Sequence, residues 1–119
     1  MLSWFKRKSN TNSFLSHWNI GELNGFKEID NDDSIQFVDE GSNKIIYFST
    51  LLISNNNHLL PNLHNVEPTV SESANGWQLK GVKKSGNKIL LCVISLKHQD
   101  DIEWAKNFFN LIVPNSLAN

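Results

Sequence analysis

The chain has a single cysteine, only three prolines, almost no net charge and no apolar run of membrane-spanning length in its 119 residues. Each shortage excludes something. A lone thiol cannot close an internal disulfide, and nothing calls for an oxidising compartment. Cys92 stands inside the run KILLCVISL, the setting of a small core residue rather than an exposed nucleophile. No segment approaches the roughly 20 apolar residues of a transmembrane helix. In MLSWFKRKSN the charges follow the apolar residues, the reverse of a signal peptide, and the apolar part is too short for an h-region. The expected compartment is the cytoplasm. LSWF followed by KRK has the makings of a surface anchor, but one basic cluster beside a few apolar side chains contributes little binding energy. No stable membrane association is expected.

A formal net charge of −1 provides no global field for nucleic acid, and no RNA-recognition signature is present. The basic hairpin near Trp77 is the one place that could grip a strand, and an acidic segment elsewhere opposes it, so no nucleic-acid partner is expected. Reaction motifs are missing too. There is no nucleophile elbow, and GVKKSGNK fits neither the dinucleotide nor the P-loop glycine pattern. No zinc or calcium spacing occurs, and His58 and His64 merely flank Pro61 in an Asn-rich stretch. The chain is therefore read as a non-enzyme with no cofactor and no metal.

What is present is a run of period-two and period-3.6 patterns. The length suits one domain, residues 1–119, with 1–11 as a candidate flexible arm. Such a chain buries about two thirds of the surface its unfolded form exposes, enough for a core without staples. Phe14, Leu15 and Trp18 share a helical face, so a short N-terminal helix is expected over 12–19. SIQFV (34–38) and KIIYFSTLLI (44–53) flank the turn residues DEGSN and read as a hairpin. SNNNHLLPNLHN (54–65) reads as a loop and VEPTVSES (66–73) as an edge strand, where Pro68 is tolerated. GWQLKGVK (76–83) and NKILLCVISL (87–96) flank KSG as a second hairpin. Ile102, Ala105, Phe108 or Phe109, and Ile112 then recur at helical spacing, widened by Trp104 and Leu111, and Pro114 marks the exit. The expected fold class is α+β: a curved antiparallel sheet with the C-terminal helix packed on one face and a short helix at the N-terminus.

Two clusters of titratable residues compete for a functional role. HQDDIEW (98–104) gathers an imidazole and three carboxylates. Local helix physics accounts for the acids. Asp100 and Glu103 stand in capping-box relation, and Asp101 adds negative charge to the first turn. His98 is left without a role. The earlier segment KEIDNDDSIQFVDE (27–40) has no such account. Its plain reading is a solvated loop running into a strand edge. Its functional reading is an acidic surface that steers a basic protein partner, with Glu28, Asp30, Asp32, Asp33, Asp39 and Glu40 as the contacts and Phe26 as a nearby anchor. A nuclease active site, built to hold phosphate, is one such partner.

The block GWQLKG…GNKILLCVISLKHQDDIEWAKNFFNLIVPNS (76–116) resembles the closing section of Mog1/PsbP-like domains, where a Trp-bearing strand leads through a hairpin to a C-terminal helix. In size, asparagine richness, acidic patch and lack of catalytic motif, the chain is similar to bacterial immunity proteins of contact-dependent inhibition and other polymorphic toxin systems. That second resemblance implies a cytoplasmic protein that binds one cognate toxin and blocks its active site. The first implies a small ligand- or assembly-binding domain that uses the sheet face opposite the helix. A membrane-peripheral accessory protein working through LSWFKRK is the remaining alternative.

Overall fold

The computed structural model describes residues 17–31, 33–52 and 67–115. Strand β1 is short, Trp18–Asn19, and is followed by β2 (Lys27–Asp30), β3 (Ser34–Asp39), β4 (Lys44–Leu52), β5 (Thr69–Ser73), β6 (Gly76–Ser85) and β7 (Lys88–Leu96). A 3₁₀ turn, Gln99–Asp101, leads into helix α1 (Ile102–Leu111), and β8 (Val113–Pro114) closes the order. Six strands form one antiparallel sheet in the order β2-β3-β4-β7-β6-β5, and β1 pairs with β8 in a separate two-stranded sheet. The mixed architecture expected from the sequence is present: an antiparallel sheet with one helix near its C-terminal end.

The two central strands, β4 and β7, are the β-branched and aromatic runs, and they pair from Ile45–Ser95 to Leu52–Lys88. The β6–β7 hairpin turns on Gly86 and Asn87, because Ser85 pairs with Lys88. Gly86 has φ 62°, the left-handed value that favours glycine at the first position of a two-residue turn. The strands thus run further into KSG than the composition suggests. β5 is an edge strand as expected, with Pro68 just outside it.

Helix α1 lies on the side of the sheet that carries Ile35, Phe37, Ile46, Phe48, Leu79, Cys92 and Ile94, all at most 6 % exposed. Ala105, Phe109 and Ile112 point into this core, whereas Leu111, expected to widen the apolar stripe, is 77 % exposed. The close approach is made at Gly81, where a Cβ would run into the Phe109 ring. Glycine inside a strand commonly marks such an approach. A chain of rings ties the parts together. Phe26 stacks on Trp104 at 6.2 Å, Trp104 on Phe108 at 5.6 Å, and Phe108 meets Phe48 at 6.4 Å.

Three local expectations are corrected. Trp18 and Asn19 end no helix: their backbone pairs with Val113 and Pro114, and the Trp18 ring is buried in the core. Tertiary pairing overrides the helical spacing there, and residues 12–16 lie outside the described part. Asp100 is not an N-cap. The 3₁₀ turn places it inside, Asp101 occupies the N-cap position of α1, and neither cap position makes a side-chain cap bond. Finally, KEID at 27–30 is not a loop but the edge strand β2, paired with β3 from Lys27–Val38 to Asp30–Ile35.

Candidate functional site: an acidic edge and an open sheet face

The acidic residues singled out from the sequence sit along the β2–β3 hairpin and do not converge on one point. Among the described residues β2 is the outermost strand on its side of the sheet. Its register directs Glu28 and Asp30 to the helix side, opposite Phe37 and Ile35. Asp30 and Asp33 are exposed at the β2–β3 turn. Asp39 and Glu40 stand at the other end of β3, in the turn to β4. Asp32 lies outside the described residues. Asp39 has a structural task. Its Oδ1 accepts from the Gly41 N–H at 3.1 Å, and its Oδ2 accepts from the Ser42 hydroxyl at 2.7 Å. The Ser42 hydrogen bond, helped by the backbone N–H groups of the turn, holds its carboxyl below the usual range. Glu40 is exposed beside it. Phe26 is no free anchor, since its ring is packed against the core and Trp104.

HQDDIEW resolves into helix initiation. His98 is exposed and extended at the start of the 3₁₀ turn, where its carbonyl accepts from the Asp101 N–H at 3.1 Å. The Asp101 carboxylate lies 3.9 Å from the Lys44 ammonium, which also sits 5.1 Å above the Trp104 ring. Lys44 thus links the sheet to the first turn of the helix. No cluster of three metal-ligating side chains occurs among the described residues, and none of their helices is long and apolar enough to cross a membrane. Residues 2–8, on which a membrane anchor would depend, and His58 and His64 lie outside the described part.

Two further polar groups turn inward on the helix side. The Lys83 ammonium lies 4.6 Å above the Phe109 ring, and burial pulls it below the usual lysine range. Cys92, on the neighbouring strand, is fully buried, and burial pushes its thiol up to about 12. His17 Nε2 lies 2.9 Å from the Ser85 hydroxyl, and the His17 carbonyl accepts from the Asn115 N–H at 2.7 Å. The first contact ties the start of β1 to the end of β6, and the second ties it to the end of β8.

The other side of the sheet is different, and sequence reasoning did not single out its residues as a unit. No element among the described residues lies on it. Its cross-strand rows can be read from the register: Lys27–Val38–Ile45–Ser95–Gln78, then Ile29–Gln36–Tyr47–Val93–Lys80. Ile29 and Ile45 are each 38 % exposed and Leu51 is 57 % exposed, while Ile89, beside Leu51, at 2 % and Ser34 at 5 % are covered. At the β3–β4 turn the face ends in an open cleft of about 320 Å³, where Val38, Ile45 and Leu96 meet Asp39, Glu40 and Lys97. The signal that could have found this face is parity. Lys80 and Lys84 stand four positions apart, an even offset, and so share a side, while Lys83 does not. Compared with family models, curated proteins and solved structures, the chain matches none.

Proposed function

We propose that the protein is a non-enzymatic immunity protein that binds a cognate toxin domain and covers its basic, nuclease-type active site with an acidic edge, acting in the cytoplasm. The observation that supports this reading is the conversion of the acidic segment from loop to scaffold. The carboxylates of 28–40 stand on an edge hairpin and its two turns, held by backbone pairing to β3 and β4. Fixed charges of one sign steer an oppositely charged partner and lose little entropy on docking. The cleft beside Asp39 and Glu40 adds apolar ground next to the charge, the combination in which interface energy concentrates.

The test has a genetic and a physical arm. The gene is expected beside that of a large toxin, and the protein is expected to co-purify with that toxin's C-terminal domain. Charge reversal by Asp33→Lys with Glu40→Lys is expected to slow association by roughly tenfold at low salt and to flatten its salt dependence. Asp32→Lys is expected to act in the same direction. A gene with no toxin neighbour, or a cognate toxin bound at the wild-type rate by the reversed variant, defeats the reading.

A second reading, a ligand- or assembly-binding domain of Mog1/PsbP-like shape, is favoured by a different observation: the helix-free face and its cleft are open and largely apolar at the centre.

A further inference from the structure

We infer that the helix-free face of the sheet docks a protein surface rich in carboxylates. This rests on the second reading above and is independent of the acidic edge. Alternation leaves one side of the large sheet with lysines and no carboxylate. Every carboxylate on its strands, Glu28, Asp30, Asp39 and Glu72, takes the helix side, in line with Phe37, Ile35, Phe48 and Leu79. Lys27, Lys80 and Lys84 take the opposite side, which carries no aspartate or glutamate in register. Asp39 and Glu40 reach only the cleft at the β3–β4 turn, so the cationic part of the face is that of β6. Three lysines point to the helix side: Lys44 and Lys83 are engaged there by Trp104 and Phe109, and Lys88 stands exposed at the start of β7.

The chemistry of the face selects among occupants. A second copy of the chain, packed face to face, would bring together six lysines and no carboxylate from the registered positions, and like charges at an interface cost affinity. A single-stranded nucleic acid needs aromatic platforms, and among the described residues Tyr47 is the only ring in register on this side. A bilayer would strip water from Gln36, Ser49, Gln78 and Ser95, which are interleaved with the apolar residues, and would return no hydrogen bonds. A protein surface can return them, can pack on Ile45, Tyr47 and Val93, and can set carboxylates against Lys80 and Lys84.

The experiment uses the full chain labelled with ¹⁵N. It is titrated separately with a synthetic peptide of alternating glutamate and valine, the matching lysine–valine peptide, an oligothymidine strand and phosphatidylglycerol vesicles. The glutamate–valine peptide alone is expected to move the amide signals of Tyr47, Lys80 and Val93. Lys80→Glu with Lys84→Glu is expected to weaken that binding by roughly tenfold or more while the spectrum stays dispersed. Asp33→Lys with Glu40→Lys, directed at the acidic edge, is expected to leave it unchanged. If oligothymidine, vesicles or self-association moves the same signals instead, the inference falls and the face remains a binding face. If no probe moves them, or the peptide's shifts confine themselves to β2 and the turns, the inference and the second reading fall together.

Discussion

Phe48 and Tyr47 are neighbours on one strand, yet Phe48 is fully buried under the helix while Tyr47 stands half-exposed on the opposite side. The same division runs through β3, β6 and β7, apart from Ser34 and Ile89, which are buried on the other side. Ile35, Leu79 and Cys92 face the helix and are 0 % exposed, whereas Ile45 on the other side keeps 38 % of its surface in water. Apolar residues alone do not decide which side is covered, since both sides have them. The helix side has in addition a glycine that lets Phe109 sit against the sheet and two lysines whose charges rest on helix aromatics. One side is therefore a finished core. The other has the composition of a surface that meets something else.

The contrast predicts unequal costs for similar truncations. Phe48→Ala removes a ring that contacts both Phe37 and Phe108, and is expected to cost about 3–5 kcal/mol in urea unfolding. Ile45→Ala, three residues away on the open side, is expected to cost less than about 1 kcal/mol, because much of the side chain is already in water. Equal costs would mean that the two sides of the sheet are equally packed.

Next in size is Gly81→Val. The added atoms would meet the buried Phe109 ring, so the helix must shift or the ring leave its place. Overpacking of this kind costs about 1–3 kcal/mol. A matched Lys80→Val, one residue away and exposed, is expected to be close to neutral in stability. If Gly81→Val is neutral as well, the helix does not sit where the Phe109 contact places it.

Cys92 provides a pH-dependent measure of the same dryness. Its thiol ionises near 9.0 when unfolded and only at about 12 when buried. The unfolded chain therefore loses its proton first as pH rises, and the stability gained from the neutral buried thiol, complete below 9.0, declines between 9.0 and about 12. Comparing wild type with Cys92→Ala, the wild type is expected to lose about 1 kcal/mol more between about pH 8 and about pH 10. Parallel pH profiles would show that the thiol is already wet in the folded state.

How far these features can be read from the sequence depends on whether they are local. β3, β4, β6 and β7 announce themselves through β-branched and aromatic runs, and the closing helix through its period. β2 does not, because Ile29 is the only apolar residue in KEID and its strand state comes from pairing with β3. Trp18 misleads for the same reason, since β8, almost the whole chain away, decides its backbone. The capping box fails because a 3₁₀ turn moves the cap by one residue, onto Asp101, which spends its carboxylate near Lys44. At the candidate site the list of acidic residues was legible but their arrangement was not. Only register shows that Glu28 and Asp30 turn toward the helix while Lys27, next to Glu28, turns away.

The smallest expected effect tests the open side directly. Leu51 is 57 % exposed, so Leu51→Ser is expected to change stability by no more than about 0.5 kcal/mol. A cost of about 2 kcal/mol or more would mean that Leu51 is packed, and the helix-free face would then be a second core layer instead of a docking surface. Ile89 makes the measurement sharper. It stands directly across from Leu51 on β7, on the same side of the sheet, yet is only 2 % exposed. Ile89→Ala is therefore expected to cost more than Leu51→Ser, which places the boundary of the open face between two paired residues. Substitutions at Ile45 and Val93, further toward the β3–β4 turn, would then fall on the open side of that boundary, where a partner, and not the rest of the chain, supplies the missing contacts.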